Sequence, residues 1–416
     1  TAFSLRNLGY EASIRLDGEV DGHLGLEGSI LFYATALDSQ YTLDNAYWLV
    51  WGQEQGMRIT DVPVYPDALA LPAHFSDTIH LEQDLNYQST RASGVDGDRW
   101  YWNYVYAPSP TPTQDYPFDA FGVSDVPMQA VLRGWYHGFS ASVEHHCQTS
   151  INGTLVNDAT WSTNTPFEFQ AAVPSGVLSE GANAISVSCG IGLGAGQRDI
   201  VFVNRFELDY QRRYVAQDDQ LFFSVDEAGD WLVQVEGWSG EATPDLYNIT
   251  DPLHPVRITG ATFEPGEDGY TLSFGQSITQ TERYLALTPE RYLSPTAMEL
   301  VTPSNWRDPA NGADYIVITH PDFADAIQPL ADYRRAQGLR VVVVDVQEIY
   351  DEFNYGIVDA EAIRDFISHA YHNWAPPAPA YVLLVGDGNY DPKDNLGRGL
   401  YDAWYSLRTN WTARDW

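Results

Sequence analysis

The chain has 416 residues, 44% of them hydrophobic and 13% aromatic, which is long enough for about three folded domains. Its 57 acidic and 22 basic residues give a formal net charge of −35, which repels phosphate groups and excludes nucleic acid and anionic lipid as main partners. No apolar run approaches the roughly 18–20 residues needed to cross a bilayer, so no membrane span is predicted. We expect a solvated acidic surface, compatible with a saline or calcium-bearing exterior.

The first two-thirds of the sequence have the pattern of antiparallel β-structure. Short alternating runs broken by Gly and Asp predict a small β domain over residues 1–77. Longer runs, spaced by about ten residues with turn signals between them, predict a β-sandwich or jelly roll over residues 78–215. Residues 216–301 contain further strand-like runs and no helical period, so they predict a third β unit or an extension of the second.

Two cysteines, Cys147 and Cys189, lie in strand-like runs of the predicted sandwich. No Cys-x-x-Cys or Cys/His ligand spacing accompanies them, so a zinc site is not predicted. Neighbouring strands of one sandwich would bring the two residues together, and a disulfide would fit an oxidising, extracellular compartment. Two free buried thiols are the alternative, and the sequence does not decide between them.

The pattern changes near residue 305, and residues 302–416 are predicted to begin an α/β domain. A strand at DYIVITH is followed by a helix over 321–337, a β-branched strand over 339–346, a helix over 359–374 and a strand at YVLLV. This order predicts a parallel sheet with right-handed crossovers. Because the strand over 339–346 is apolar on both faces, we expect it to be central and covered.

Three segments of this region, DYIVITHPDF, RVVVVDVQEIYDEFNYGIVDAEAIRDFI and YVLLVGDGNYDPKDNLG, closely resemble the opening of the gingipain-type cysteine peptidase domain. That family includes the sortase of the type IX secretion system. Upstream runs such as NAYWLVWG, DRWYW and NRFELDYQRRY resemble the regions that precede the peptidase domain in family members. The resemblance implies a multidomain protein with all-β domains followed by a caspase-like α/β unit. The active site would lie at the carboxyl ends of the parallel strands.

The family's chemistry is cleavage or transpeptidation of a peptide bond by a Cys–His dyad. Both residues lie downstream of the GDG segment in family members, so the resemblance implies no catalytic residue in this chain, and Cys147 and Cys189 do not match the nucleophile. The implied partners are a protein or peptide substrate, the downstream half of the precursor, and neighbouring subunits. The implied location is extracellular or at the cell surface, although the sequence contains no recognisable signal peptide.

Three aspartates follow the third strand of the α/β region: Asp387, Asp391 and Asp394. Asp387 and Asp391 are candidates for the rim of the substrate site. All three are candidates for a calcium site, because calcium prefers carboxylate and carbonyl oxygens, although the spacing is not that of an EF-hand. An acidic turn that caps the next element is an alternative of equal weight. No other cofactor is expected.

A second hypothesis from a different functional class is a non-catalytic structural or adhesive surface protein built on a peptidase-derived scaffold. Its aromatic-rich sandwiches would bind glycans or neighbouring subunits. Elsewhere, His369 and His372 lie one helical turn apart without an evident third ligand. We interpret them as a pair on a helix surface.

Overall fold

A computed structural model describes residues 2–52, 55–65, 70–89, 99–107, 112–124, 130–267, 269–386 and 390–397. The described residues form mostly antiparallel β-structure, followed by a small α/β region. The strands are β1 (Phe3–Asn7), β2 (Tyr10–Ala12), β3 (Ile14–Val20), β4 (His23–Phe32), β5 (Trp48–Trp51), β6 (Thr60–Pro63), β7 (Phe75–Glu82), β8 (Asn86–Tyr87), β9 (Trp100–Tyr101), β10 (Asn103–Ala107), β11 (Thr113–Ala120), β12 (Ala130–Gly138), β13 (Glu144–Ile151), β14 (Thr154–Ser162), β15 (Pro166–Val173), β16 (Gly181–Cys189), β17 (Asp199–Arg212), β18 (Gln220–Val225), β19 (Gly229–Trp238), β20 (Asp245–Asn248), β21 (Val256–Thr259), β22 (Thr262–Gly266), β23 (Gly269–Ile278), β24 (Glu282–Leu287), β25 (Tyr315–Thr319), β26 (Val341–Asp345) and β27 (Tyr381–Val385). The helices are α1 (Pro321–Ala336), α2 (Val346–Asn354), α3 (Ala360–Asn373) and a 3-10 turn at Pro289–Arg291.

The chain divides into two compact units. Unit 1 comprises Thr1–Ile59, Pro252–His254 and Ser294–Trp416, and unit 2 comprises Thr60–Asp251 and Pro255–Leu293. This division follows the contacts of the folded chain, whereas the four predicted domain ranges follow sequence pattern. Those four ranges therefore stay predictions.

Unit 2 contains a β-sandwich of two antiparallel sheets. One sheet has the strand order β10-β17-β12-β15, with β7 also paired to β17, and the other has the order β11-β16-β13-β14. Side chains alternate between core and solvent along each strand, so that Cys147, Thr149 and Ile151 of β13 are all fully buried. The inward faces of the two sheets share one apolar core, as the alternating pattern predicts.

Unit 2 also contains a second pair of sheets, with strand orders β18-β24-β20-β21-β6 and β19-β23-β22, and a short two-stranded pair, β8-β9. Trp238 is completely buried in its core, where its indole Nε1 donates a hydrogen bond to the carbonyl of Val235 at 3.0 Å. The buried indole N–H therefore has a hydrogen-bond partner in a core that water does not reach. Strand β6 pairs in parallel with β21, so residues near position 60 contribute to this sheet.

In unit 1, the N-terminal residues form a three-stranded sheet, β2-β1-β5, and a separate hairpin, β3-β4. Leu5, Ala12 and Ile14 form a small core between them. Backbone hydrogen bonds from Ile14 N to the carbonyl of Met57 at 3.1 Å, and from Ile59 N to the carbonyl of Ile14 at 3.0 Å, hold the base of the hairpin.

The α/β region of unit 1 has a three-stranded parallel sheet in the order β26-β25-β27. Within the described residues β26 pairs only with β25, so the expectation that the strand over 339–346 is central stays a prediction. Strand β25 is central, and its Ile316, Val317 and Ile318 are fully buried, whereas Val344 is the one buried residue of β26. Apolar side chains on both faces require cover above and below a strand, and that cover does not require a neighbour on both edges.

Helices α1 and α3 lie where the sequence predicts them. His320 caps α1, its Nδ1 accepting a hydrogen bond from the Asp322 backbone N–H at 3.2 Å, and Gly338 follows the helix with φ +90°. Helix α2 was not predicted, and it begins directly after β26 with Asp345 as its N-cap. Among the helices of the described residues, none has the length and apolar content needed to cross a membrane.

Candidate functional site

The carboxyl ends of the three parallel strands meet at one edge of the sheet. Strand β25 ends at Thr319, β26 at Asp345 and β27 at Val385, and the three residues are partners in the strand register. In open α/β sheets this edge carries the ligand-binding crevice. The segments that leave it are α1, α2 and residues 390–397, here called the acidic turn. Together they form the candidate functional site.

Side-chain hydrogen bonds order two of these strand ends, and one of them caps a helix. The Asp345 carboxylate accepts a hydrogen bond from the Gln347 backbone N–H at 2.9 Å, which satisfies a free N–H at the start of α2. Thr319 is buried, and its hydroxyl donates to the carbonyl of His320 at 3.2 Å. The groups at the carboxyl ends of β25 and β26 are therefore fixed by local hydrogen bonds.

Helix α2 places a set of carboxylates beside this edge. Burial raises the pKa of Glu348, and the charge of Asp345 raises it further. A hydrogen bond from Trp306 Nε1 at 2.8 Å acts in the opposite direction and lowers it. Burial is also the main reason that the pKa of Asp351 is raised. Burial therefore makes the ionised form of both carboxyl groups less favourable on this side of the site.

Glu352, near the end of α2, holds the segment that enters the α/β region. Its carboxylate accepts hydrogen bonds from the backbone N–H groups of Trp306 at 2.8 Å and Arg307 at 2.7 Å. It also accepts one from the Ser304 hydroxyl at 2.6 Å. Three donors on one carboxylate fix this segment against the helix.

The acidic turn shows what one of the predicted aspartates does, while Asp387 lies outside the described residues. The Asp391 side chain is 6% exposed, and its carboxylate accepts hydrogen bonds from the backbone N–H groups of Asn395 at 2.8 Å and Leu396 at 3.0 Å. Asp394 has φ +52°, and its N–H donates to the carbonyl of Asp391 at 3.2 Å. The geometry of Asp391 is that of a carboxylate capping its own turn.

Calcium binding by the predicted aspartates stays a prediction. In the described ranges, which omit Asp387, no group of three His, Cys, Asp or Glu side chains is placed to hold a metal ion. His369 and His372 bond separately to backbone carbonyls, those of Arg307 at 3.2 Å and Ser368 at 2.8 Å. Each of the two imidazoles therefore has its own structural partner.

One ion pair at this site is not predictable from the sequence. Lys393, the single lysine of the sequence, lies in the acidic turn with its side chain only 12% exposed. Its Nζ is 2.8 Å from Oδ1 of Asp38, which lies in the N-terminal region of unit 1. The sequence alone shows that Lys393 is the single lysine, but it does not identify Asp38 as its partner.

The two cysteines lie in unit 2 and are joined by a disulfide. Their Sγ atoms are 2.00 Å apart, and the residues oppose each other on β13 and β16. Neither cysteine of the chain is free. These sulfur atoms are therefore not available as thiolate nucleophiles.

Comparison with known protein families shows that residues 308–410 match the model of peptidase family C25. Among solved structures, the chain is similar to dimeric latent PorU from Porphyromonas gingivalis, with 17% identity and a TM-score of 0.64 over 92% of this chain. The match covers 37% of the PorU chain, so the present chain spans well under half of its length. No curated protein matches.

Two carbohydrate-binding modules also align with part of the chain, at a similarity too low to support an argument. The CBM36-1 domain of a multidomain xylanase from the hindgut metagenome of Trinervitermes trinervoides has 10% identity and a TM-score of 0.20, covering 32% of this chain and 96% of its own. A CBM36 module in complex with calcium and xylotriose has 14% identity and a TM-score of 0.19, covering 32% and 98%. The predicted resemblance is confirmed by the first two comparisons: residues 308–410 have the sequence pattern of peptidase family C25, and the chain has a PorU-like multidomain fold.

Proposed function

We propose that this chain is the non-catalytic N-terminal part of a secreted, gingipain-like cysteine peptidase or transpeptidase. The observation that carries the proposal is the parallel sheet β26-β25-β27, which lies inside the segment that matches peptidase family C25. Within the described residues β27 pairs only with β25, and Tyr381 at its start is 57% exposed. An open edge on a parallel sheet favours the addition of another strand.

In this proposal the nucleophile is a cysteine outside these 416 residues. Cys147 and Cys189 are the only two cysteines of the sequence, and their disulfide leaves no thiolate. A Cys–His dyad on further strands of the completed sheet would attack the peptide carbonyl. The present chain would contribute the carboxyl edge of its three strands to the rim of the site, and a protein or peptide would be the substrate.

The β units would position the α/β region and link it to neighbouring subunits. The disulfide supports an extracellular or cell-surface location, because such bonds persist in oxidising compartments. The dimeric state in the description of PorU supports a role for neighbouring subunits. Positioning and subunit contact are structural roles, and in this proposal unit 2 contributes no catalytic residue.

The test is amide hydrogen exchange at β27, measured in the 416-residue chain and in a longer natural polypeptide that contains it. We expect the Val382 and Leu384 amides, which alternate with the amides that face β25, to exchange at least about tenfold more slowly in the longer polypeptide, because a further strand covers the open edge. The amides of Ile316 and Ile318, in the central strand, serve as the control and should be protected in both. Equal exchange of β27 in the two proteins would contradict the proposal.

A groove at the edge of the sandwich favours a second candidate, a glycan-binding surface protein. The groove has a volume of about 360 Å³, and its lining includes Glu82, Trp102 and Asp115. An aromatic ring beside carboxylates suits the faces and hydroxyl groups of a sugar. Asp115 accepts a hydrogen bond from the Ser186 hydroxyl at 2.7 Å, so its position is fixed. Binding of the chain to a glycan array, with loss of that binding in Asp115→Asn, would favour this candidate. If the chain binds no glycan on the array, the glycan-binding candidate is rejected and the peptidase proposal remains.

A further inference from the structure

Two ionisable side chains meet inside the β-sandwich of unit 2, and they are here called the interior pair. His145 on β13 is 0% exposed and Asp199 at the start of β17 is 1% exposed, and His145 Nδ1 lies 2.7 Å from Asp199 Oδ1. Strand β13 belongs to one sheet of the sandwich and β17 to the other. The interior pair therefore joins the two sheets through groups that have both left water.

The second ring nitrogen of His145 also lies beside a hydrogen-bond acceptor. His145 Nε2 is 3.0 Å from the backbone carbonyl oxygen of Thr163, an atom that can only accept. A neutral imidazole carries one N–H and can donate to one of these two neighbours, whereas the doubly protonated ring donates to both. Because imidazole is a stronger base than a carboxylate, the proton between His145 and Asp199 is assigned to Nδ1. The heavy-atom geometry therefore matches an imidazolium paired with a carboxylate.

Loss of one proton from the interior pair would leave an unfavourable arrangement in the core. A ring nitrogen without its proton would face an acceptor, and the pair would carry a net negative charge. His145 is the one hydrogen-bond partner of the Asp199 carboxylate among the described residues, and Asp199 Oδ2 is buried there without a partner. A buried carboxylate is costly unless a cation or donors compensate its charge. Burial therefore favours the doubly protonated ring.

The residues that surround the imidazole also fit a cationic ring. The Trp161 indole packs against His145 with ring centroids 5.0 Å apart, a distance at which an aromatic ring attracts a cation. Gly138, at the end of β12, leaves room for the imidazole, because a Cβ there would lie 2.2 Å from His145 Nε2. Asp199 is the one ionisable side chain that the described residues place in hydrogen-bond or ion-pair contact with His145.

The other ionisable side chains of the neighbouring strands have different surroundings. His146 follows on β13, so its side chain points to the opposite face of the sheet, where its Nε2 lies 2.6 Å from Asp158 Oδ1. Both of these groups are partly exposed. His137 on β12 bonds through Nδ1 to the Tyr101 hydroxyl at 3.1 Å. The ionisable residues adjacent to the interior pair in the sequence are exposed, namely Glu144 and Arg198.

We propose that His145 and Asp199 form a proton-dependent ion pair that holds the two sheets of the sandwich together. The pair keeps its shared proton at neutral pH, and the stability of the sandwich falls when that proton is lost. The imidazolium also holds the loop between β14 and β15, where Thr163 is a β-branched residue with φ +71°, a conformation that surrounding contacts must maintain. This inference concerns unit 2 and does not depend on the proposed peptidase function.

The test is urea unfolding of the 416-residue chain between pH 7 and pH 9, in the wild type and in Asp199→Asn. A histidine of the unfolded chain loses its second proton near pH 6.5, so above that pH the folded wild type binds one proton more than the unfolded chain. Its unfolding constant should therefore rise by up to about tenfold per pH unit. Asparagine can donate to Nδ1 of a neutral ring, so this rise should be absent from Asp199→Asn. Asp158→Asn is the matched control. It removes the carboxylate beside the exposed His146, and it should keep the wild-type slope.

A second readout uses the wild type alone, so the proposal stays testable if Asp199→Asn does not fold. Nitrogen-15 NMR of the histidine rings at pH 8 should show a proton on both ring nitrogens of His145, and His146 supplies the signal of an exposed ring in the same spectrum. A ring of His145 with one unprotonated nitrogen at pH 8 would overturn the proposal. Equal pH slopes in the wild type and Asp199→Asn, or loss of the slope in Asp158→Asn as well, would also overturn it.

Discussion

Cys147 on β13 and Cys189 on β16 face each other directly across an antiparallel strand pair, and a disulfide joins them with their Cα atoms 4.1 Å apart. Both side chains point into the sandwich core and are almost completely buried. The bond therefore links two neighbouring strands of the same sheet, between residues that are 42 positions apart in the sequence.

Removal of this disulfide should destabilise the protein by about 4 kcal/mol, the chain-entropy value for a loop of this length. The double variant Cys147→Ser, Cys189→Ser should show this loss in urea unfolding, and reduction of the wild type should produce a similar loss. A thiol assay on the denatured, non-reduced chain should detect no free thiol. Two thiols per chain would show that the bond is absent.

Arg133 on the outer face of the sandwich should contribute to stability in a pH-dependent way. Its guanidinium donates to Asp209 at 2.6 and 3.0 Å and to Glu207 at 3.1 and 3.0 Å. Burial alone would raise the pKa of Asp209, but hydrogen bonds from Arg133 and Thr78 outweigh it and the pKa is lowered. A lowered folded-state pKa gives stability that is present above the unfolded value, about 3.9, and is lost as pH falls through the folded value.

Arg133→Met should therefore cost about 1–2 kcal/mol at pH 7 and much less below about pH 3. Arg364→Met is the control, because Arg364 forms only exposed pairs with Glu361 and Asp365, and about 0.3–0.5 kcal/mol is expected there. Urea unfolding at both pH values is the measurement. A cost for Arg133→Met that does not change with pH would contradict the role given to Asp209.

Glu348→Gln should stabilise the α/β region at neutral pH. Burial raises the folded-state pKa of Glu348, so its ionised form is penalised in the folded protein and this penalty grows as pH rises through that pKa. Glutamine removes the charge and keeps an oxygen that can accept from Trp306 Nε1. The melting temperature of the variant should exceed that of the wild type at pH 7 and equal it near pH 4. A variant less stable than the wild type at pH 7 would show that the charge is stabilising.

The formal charge of −35 should make stability depend on salt. Self-repulsion opposes compaction, and salt screens it over a Debye length of about 10 Å at 0.1 M. We expect the melting temperature to rise between low and molar NaCl. A flat response would indicate that the carboxylates are already neutralised by bound cations.

Most of the architecture is predictable because it depends on local pattern. The alternation of β13 reports which side chains face the core, and Pro321 and Gly338 mark the two ends of α1. The missed helix α2 also had a signal, since Asp345 is followed three residues later by Glu348, the spacing of a helix N-terminus. The apolar run before it hid that signal, because the run continues into the helix without a turn.

Long-range relationships are the part that the sequence does not contain. Asp38 and Lys393 are 355 positions apart, and no periodicity relates them. The order β26-β25-β27 was likewise not predicted, because hydrophobicity on both faces of a strand indicates that it is covered and does not identify its neighbours. The disulfide was partly predictable. The sequence pattern identified the strands that carry Cys147 and Cys189, but it did not show that these strands are neighbours in the sheet.

We propose that this chain is part of a gingipain-like cysteine peptidase and does not itself carry the nucleophile. The most direct measurement is hydrolysis of a fluorogenic peptide library, under reducing conditions, by the 416-residue chain and by a longer natural polypeptide that contains it. We predict hydrolysis sensitive to iodoacetamide in the longer polypeptide and none in the chain. Iodoacetamide-sensitive turnover by the chain alone, or no turnover by the longer polypeptide, would contradict the account.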